Sequence, residues 1–552
     1  MFCHPWVMIN SKERENNMAL NSFKFMFFLA AVVVVYYLVP KKYQWAVLLV
    51  ASYGFYLSSG LDNLAYIVFT TLFSFFASHW MQKIRDKQND KIKALGDDLP
   101  KAERMAMKKE ASNKIKRIQA LTVLVNLAVL AYFKYLNFFI GGFNSVFSLF
   151  EWDISIPFVN ILAPLGLSYY TFNSIGYLID VGRGKLKAEP HLGKFALFVS
   201  FFPSIVQGPL NRYGDAGLQL QQEHEFDYNN VKYGAQLILW GLFKKMVIAD
   251  RIAVIPATIF SASFEDYTGS HILFAVICYS FQIYGDFSGG TDITRGAAQM
   301  MGINLPLNFE RPFFATSMAD FWRRWHMSLG AWMREYVFYP VMLCKPVASL
   351  SKKMRKKHGT YAGKLVPSVA APMVVFFLIG IWHGLSKQYI TNGVYNALLI
   401  SGSVALTPVY EKLIKTFKVN TEAFSFRIFQ ILRTTLLLFI SRVIVRAPSI
   451  TEAGRMLKAM FTDIDPFFFL GTDGRIYELG LDKTDMSLLI VAIGVLTLIS
   501  VLQENGMKIR ETLSKQNILF RWAVIIALIV AIVVFGTYGP AYDAKSFIYG
   551  GF

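Results

Sequence analysis

Two histidines in apolar surroundings are the residues of this sequence best placed to do chemistry. His326 lies in the segment DFWRRWHMSLGAWMREYVFYP at residues 320–340, and His383 lies in IGIWHG at residues 379–384. Each directly follows a tryptophan, Trp325 or Trp382. Because charging a buried imidazole is costly, both rings are expected to stay mostly neutral unless they have a partner. A neutral imidazole can accept a proton near pH 7, as a general base must.

The sequence also allows a purely structural role for both histidines. A buried imidazole can satisfy hydrogen bonds between helices, and neither composition nor spacing distinguishes that role from catalysis. The remaining histidines lie in polar loops or at the ends of apolar runs: His4, His79, His191, His224, His271 and His358.

A second candidate site is the segment YGDFSGGT at residues 284–291, where Asp286 and Ser288 follow an apolar run. Ionisable residues in such positions tend to line pathways through a membrane. Alternatively, Asp286 caps a following helix at residues 292–301. The sequence leaves both interpretations open.

The first histidine segment predicts one amphipathic helix over residues 320–340. At 100° per residue its charged residues fall on one face, where Asp320 can pair with Arg323 and Arg324. The two arginines could instead meet a phosphate or carboxylate. A basic amphipathic helix of this kind usually lies in a membrane interface. The opposite face carries Trp322, Trp325, Leu329, Trp332, Met333 and Tyr336.

Composition places the chain among polytopic membrane proteins. Of its 552 residues 54% are hydrophobic and only 17% are charged. The apolar residues form long runs, and a run of about 20 is what a helix needs to cross the hydrocarbon. We therefore predict an all-α integral membrane protein with about eleven transmembrane helices, plus short re-entrant and amphipathic helices. Residues 1–17 are polar and are predicted to be a non-essential N-terminal extension, and the run at residues 23–39 is predicted to be the first membrane helix, not a cleaved signal peptide.

The net charge of +19 is concentrated in segments between apolar runs. This distribution is typical of membrane topology and does not favour nucleic-acid binding. The basic segments 82–117 and 345–364 are predicted to be cytoplasmic loops, which places the N-terminus outside. The first of them could also dock an acidic partner. The three cysteines have no paired spacing, so neither a disulfide framework nor a metal site is expected.

Prolines and a glycine interrupt the apolar segment FPSIVQGPLNRY at residues 202–213. Broken backbone at membrane depth is tolerated where protein or a water-filled cavity surrounds it. The segment therefore predicts a re-entrant turn or, alternatively, a kinked helix.

Several motifs together resemble those of the membrane-bound O-acyltransferase (MBOAT) family. The bacterial branch that contains alginate O-acetyltransferase and the teichoic-acid D-alanyl transfer protein is most similar, and the resemblance extends over nearly the whole chain. The motifs are DFWRRWHMSL at 320–329, IGIWHG at 379–384, FFPSIVQGPLNRY at 201–213, YGDFSGGTD at 284–292 and RPFFATS at 311–317.

The resemblance implies a single membrane domain over residues 18–552 with a central tunnel. It implies that an acyl group, most simply acetyl, moves from a cytoplasmic thioester to a hydroxyl. His383 corresponds to the essential histidine and is the expected base. His326 corresponds to the second motif histidine, which could position the donor, orient His383 or polarise the thioester carbonyl. The expected substrate or tunnel residues are Asp286, Ser288, Asp320, Trp322, Arg323 and Trp382.

Donor, acceptor and partners remain alternatives at this stage. The donor is expected to be acetyl-CoA or an acyl carrier thioester, with no bound cofactor or metal. The acceptor is expected to be an extracellular polysaccharide or a cell-wall polymer. The protein itself is expected to lie in a bacterial plasma membrane. One alternative is D-alanyl transfer to teichoic acid, with a cytoplasmic carrier protein as partner. Another is a conduit that passes the acyl group to a separate extracytoplasmic acetyltransferase. A covalent acyl-cysteine at Cys344 is a further alternative.

Overall fold

The computed structural model describes residues 18–58, 60–96, 99–159, 163–261, 267–471 and 474–538. The predicted extension at residues 1–17 lies outside these ranges. Within them the secondary structure is helical apart from one isolated antiparallel bridge between Phe309 and Trp325. The predicted all-α class is therefore confirmed.

The chain forms two compact units, and helices α8 and α11 contribute residues to both. The first unit includes the described residues up to Ile238 together with Ile293–Pro306. Its helices are α1 (Phe23–Leu38), α2 (Gln44–Leu57), α3 (Leu61–Ala94), α4 (Lys101–Leu149), α5 (Leu167–Arg183), α6 (Leu192–Ser200), α7 (Phe202–Ile205) and α8 (Tyr228–Leu242), with a π-helix at Tyr213–Gly217 and a 3-10 turn at Lys41–Tyr43.

The second unit includes Leu239–Asp292 and the described residues from Leu307 to 538. Two of its helical segments, Phe243–Ala249 and Arg334–Phe338, have the wide π geometry. The further helices are α9 (Asp250–Ile252), α10 (Val254–Ser261), α11 (Gly269–Met300), α12 (Met318–Arg324), α13 (Met327–Met333), α14 (Tyr339–Leu343), α15 (Lys345–His383), α16 (Lys387–Ala405), α17 (Thr407–Thr416), α18 (Phe424–Arg446), α19 (Ile450–Thr462), α20 (Pro466–Leu470), α21 (Lys483–Glu504), α22 (Ile509–Ser514) and α23 (Ile518–Phe535), with 3-10 turns at Pro312–Phe314 and Arg475–Leu479.

Seven helices among the described residues are long and apolar enough to cross a membrane. They are α3, α4, α11, α15, α18, α21 and α23. The pair α16 and α17, bent by 57°, could form an eighth span. The predicted number of about eleven is not confirmed, because predicted spans at residues 165–181 and 195–206 form shorter helices of 17, 9 and 4 residues.

The basic segment 345–364 is helical and not irregular, and its predicted cytoplasmic location stays a prediction. It forms the first half of α15, which starts with Pro346 in its first turn and continues to His383. Lysine, alanine and methionine are good helix formers, and exposed lysines keep their charge in water. Gly359 interrupts the helix with φ 86° and ψ 177°. Most of the other basic segment, 82–117, also lies within two long helices, α3 and α4.

The histidine segment 320–340 is not one helix either. Trp325 is extended and His326 is left-handed, so α12 ends before them and α13 starts after them. The extended segment 308–310 holds the backbone in this form by hydrogen bonds. The Met327 N–H donates to the Asn308 carbonyl at 3.0 Å, and the Glu310 N–H donates to the Arg324 carbonyl at 2.9 Å. These tertiary bonds outweigh the local helical pattern.

The proline-containing segment at residues 202–213 has broken backbone that is almost entirely buried in protein. The short helix α7 ends at Ile205, and no regular helix follows before residue 213, so the kinked-helix alternative is wrong. Side chains satisfy some of the backbone groups that have no helical hydrogen bond: the Asn211 N–H donates to Asn173 Oδ1 at 3.1 Å. Such pairing is what irregular backbone requires away from water.

Candidate active site

His326 occupies the break between α12 and α13 with its side chain inside the protein. Its backbone is left-handed, with φ 46° and ψ 51°, and only 4% of the residue is exposed. Non-glycine residues in this region carry strain, which recurs at functional sites. The imidazole packs edge-on against Phe287 of α11, with 4.7 Å between ring centroids.

Asn308 fixes the tautomer of His326. Its Oδ1 accepts hydrogen bonds from the Ser328 N–H at 3.0 Å and from the Ser328 hydroxyl at 2.8 Å. Because a backbone N–H can only donate, the atom facing it must be the amide oxygen. His326 Nδ1 lies 3.2 Å from the same oxygen and must therefore carry the ring proton. In the neutral ring, Nε2 is then the nitrogen with the free lone pair.

The protein keeps the His326 ring neutral. This residue lies outside the seven long apolar helices, and burial lowers its pKa to about 3, with a smaller contribution from repulsion by His383. Desolvation penalises the imidazolium because a buried charge loses its hydration. At neutral pH, His326 can accept a hydrogen bond through Nε2 but has no second N–H to donate.

His383 is the last residue of α15, and the preceding residue, Trp382, contacts both imidazole rings. The Trp382 ring lies 6.3 Å from the His326 ring and 4.7 Å from the His383 ring, measured between centroids. The Tyr389 ring of α16 also stacks on the His383 ring, with 5.7 Å between the centroids and 20° between the planes. The chain continues tightly past this point because Gly384 has no side chain, and a Cβ there would meet the Tyr389 ring at 3.0 Å. Two histidines 57 positions apart in sequence are thereby brought to one tryptophan.

The other predicted residues of the first motif have partners of their own. Trp322 donates through Nε1 to Asn396 Oδ1 at 3.1 Å. Asp320 pairs with Arg323 and Arg324, each at 3.2 Å, so the predicted intrahelical pairing is confirmed. Asp320 also accepts from the Thr316 N–H, and therefore stabilises the start of α12.

Asp286 and Ser288 face two lysines that the sequence analysis missed. Lys245 lies 2.7 Å from both Asp286 and Asp250, and all three side chains are at least 93% buried. Its neighbour Lys244 lies 2.9 Å from Ser288 and also pairs with an aspartate, Asp292, at 2.7 Å. The helix-capping alternative for Asp286 is wrong, because α11 is continuous from Gly269 to Met300. The feature of the sequence that could have revealed this cluster is the presence of two adjacent lysines within an apolar run.

Glycines in the same motif allow close helix packing. A Cβ on Gly285 would lie 2.8 Å from the Lys244 carbonyl, and one on Gly289 would lie 2.8 Å from the Gly241 carbonyl. Small residues four positions apart let two helical backbones approach each other. The motif therefore brings the aspartates of α11 within reach of the lysines. Phe287, which lies between the two glycines in the sequence, contacts His326.

A third cluster of charges surrounds Glu504 at the end of α21. Its carboxylate accepts from Arg311 at 2.6 Å, from Arg324 at 3.0 Å and from Arg427 at 2.9 Å. The cluster fixes the charged end of α12 and thereby the segment that precedes His326. Among the described residues no group of three or more His, Cys, Asp or Glu side chains could hold a metal ion.

Comparison with known proteins identifies relatives of this chain. The family model of the membrane-bound O-acyltransferases matches residues 183–441, which include both histidine motifs. A probable alginate O-acetylase of Pseudomonas syringae pv. tomato is 31% identical over 445 residues, covering 80% of this chain and 74% of that protein. The peptidoglycan O-acetyltransferase of Helicobacter pylori is 29% identical, over 52% of this chain and 56% of that protein.

A third relative, the teichoic acid D-alanyltransferase of Bacillus subtilis, is 33% identical over 44% of this chain and 59% of that protein. All three relatives are named for the transfer of an acyl group. With its long apolar helices, its paired histidines and these relatives, the chain belongs to the membrane-bound O-acyltransferase family and is a multi-pass membrane acyltransferase.

Proposed function

We propose that this enzyme transfers an acetyl group from a thioester donor, reached from the cytoplasm, to hydroxyl groups of an extracytoplasmic polysaccharide or cell-wall polymer. The observation that carries the proposal is the placement of His326 and His383 against one tryptophan, within the region shared with the family. Acetyl is favoured over D-alanyl because the alginate O-acetylase matches 80% of this chain and the D-alanyltransferase 44%.

His383 is the proposed general base. It takes the proton of the acceptor hydroxyl as that oxygen attacks the thioester carbonyl carbon. The carbon–sulfur bond then breaks, and the departing thiolate takes up the proton from His383. General-base assistance of this kind contributes roughly 10²–10⁴-fold in rate, and holding both substrates in place contributes further.

His326 is proposed to orient the reacting groups by accepting a hydrogen bond at Nε2. Polarisation of the thioester carbonyl would require an N–H, and the one on the neutral ring already points to Asn308. This argument favours an orienting role among the three that the resemblance allowed. The proposed roles of Asp286 and Ser288 are indirect, because their contacts with the two lysines hold α11 beside His326.

The acceptor side of the site is proposed to face outward in a bacterial plasma membrane. The basic half of α15 precedes Gly359, and the 24 residues from 360 to His383 reach roughly 36 Å as a helix, enough to cross the hydrocarbon. If the basic half is cytoplasmic, His383 lies toward the other side. Accessibility labelling of single cysteines at the two ends of α15 tests this orientation and the proposed outward N-terminus.

Polymer acylation in cells that carry His383→Ala is the decisive test. We expect acylation to be lost while insertion and abundance stay at the unsubstituted level. His358→Ala is the matched control, because His358 lies exposed on the same helix and should leave acylation unchanged. Full acylation in the His383→Ala strain would contradict the proposal.

The donor and the partners are tested with the purified protein. Acetyl-CoA and an acylated carrier protein are each supplied with polymer, with and without an extracytoplasmic acetyltransferase. We expect acetyl-CoA to support transfer to the polymer by this protein alone. A strict requirement for the carrier supports the D-alanyl alternative, and a strict requirement for the second enzyme supports an acyl conduit.

A further inference from the structure

Two arginines, Arg442 and Arg446, lie on the last two turns of α18. Earlier on the same helix, Arg427 pairs with Glu504 at 2.9 Å, and Arg433 donates to the Thr316 carbonyl at 2.8 Å. Arg442 and Arg446, in contrast, form no ion pair among the described residues. They are four positions apart, so their side chains emerge from the same face of the helix.

Arg442 holds a buried donor that nothing satisfies within the described part of the chain. Its guanidinium lies 5.2 Å from the ring centroid of Trp325, the residue before His326, and 6.0 Å from that of Phe321. Its Nε atom is buried and has no hydrogen-bond partner there. Buried donors are nearly always paired in native proteins. An unpaired donor on a cation therefore needs a partner from outside the described residues, either water or an anionic group.

Arg446 continues the same surface toward His383. Its guanidinium lies 5.9 Å from the Tyr279 ring centroid and interacts electrostatically with Tyr389, whose ring stacks on His383. Arg446 is exposed and is the last residue of α18. A cation at a helix C-terminus is favoured by the helix dipole, which accounts for Arg446 but not for Arg442 one turn inside.

A guanidinium offers a planar fork of N–H donors that matches a carboxylate or phosphate. We infer that Arg442 and Arg446 form an anion-binding site beside His383. This site holds a carboxylate or phosphate group of the acceptor polymer. This inference rests on the proposed function, because it assumes that a polymer hydroxyl reacts at His383. The site would fix the sugar next to the base, so that the enzyme prefers an acidic polymer to a neutral one.

The test measures binding of fluorescent oligosaccharides to the purified protein in detergent. The probes are a uronate hexasaccharide, a glycerol-phosphate oligomer and the carboxyl-reduced, neutral form of the hexasaccharide. We expect at least one acidic probe to bind more tightly than the neutral one, and Arg442→Gln and Arg446→Gln each to weaken it about tenfold, as loss of a charge-assisted hydrogen bond does. Which acidic probe responds distinguishes a carboxylate from a phosphate. Arg433→Gln is the control on the same helix and should bind like the unsubstituted protein.

Wild-type affinity for both acidic probes in Arg442→Gln and Arg446→Gln would overturn the inference. An equal loss for the neutral probe would also overturn it, because the arginines would then serve packing and not the recognition of an anion. Arg446→Gln keeps the test valid if Arg442→Gln fails to fold. His383→Ala separates this inference from the proposed function: it should abolish transfer and leave oligosaccharide binding intact.

Discussion

Replacement of Lys245 by methionine should be among the most destabilising single changes in this protein. Lys245 Nζ lies 2.7 Å from both Asp250 and Asp286, and the three side chains are 0%, 7% and 2% exposed. Methionine fills a similar volume but leaves two buried carboxylates without their cation. Removing one member of a buried ionic group typically costs about 3–5 kcal/mol. Lys244→Met should cost less, about 2 kcal/mol, because its partner Asp292 is 15% exposed and can be hydrated.

Unfolding of the detergent-solubilised protein, followed by intrinsic fluorescence, measures both effects. The double variant Lys245→Met with Asp286→Asn should recover part of the loss, since one of the two stranded carboxylates becomes neutral. If Asp286 acts only through this ionic group, the activity of Asp286→Asn should follow its folded fraction. A Lys245→Met protein whose stability lies within about 0.5 kcal/mol of wild type, the range of ordinary surface changes, would refute the reasoning.

Three further predictions concern packing, pH and charge. Gly289→Ala should destabilise the protein by about 1–3 kcal/mol, because the new Cβ lies 2.8 Å from a backbone oxygen, whereas Gly454→Ala, with no atom within 4 Å, should not; thermal unfolding compares them. Since burial lowers the pKa of His326, the unfolded state binds the proton first, and stability should fall as pH drops from about 6.5 toward 3, by up to about 1.4 kcal/mol per unit; acid titration of His326→Asn should lack this component. Glu504→Gln leaves three arginines without their carboxylate and should lower polymer acylation more than Glu411→Gln, an exposed control on α17.

The sequence predicts the fold class because it depends on local composition, and it singles out two histidines that the structure places against one tryptophan. Long apolar runs require helices, and a histidine that directly follows a tryptophan in an apolar segment, as both His326 and His383 do, is conspicuous without coordinates. The apolar face predicted for residues 320–340 is largely buried even though the helix is broken, since Trp325, Leu329 and Trp332 still point inward. Side-chain periodicity is thus recoverable where backbone continuity is not.

What the sequence could not predict depends on contacts between distant residues. The break at His326 requires the segment around Asn308, and no local preference marks a histidine for a left-handed backbone. Asp286 follows an apolar run and could therefore cap a following helix, but its partner Lys245 lies 41 residues earlier. Gly285 and Gly289 serve close packing of this continuous helix, and that packing depends on distant backbone atoms.

The lysine–aspartate group has a consequence for how the chain enters the bilayer during synthesis. Lys244 and Lys245 could not move into lipid alone, since an ammonium group at that depth is expensive. Their partners on α11 are synthesised 41 to 48 residues later, about one helical hairpin downstream. We therefore expect the segment that carries the lysines to enter the bilayer together with α11, since only Lys245 has a partner close in sequence, Asp250.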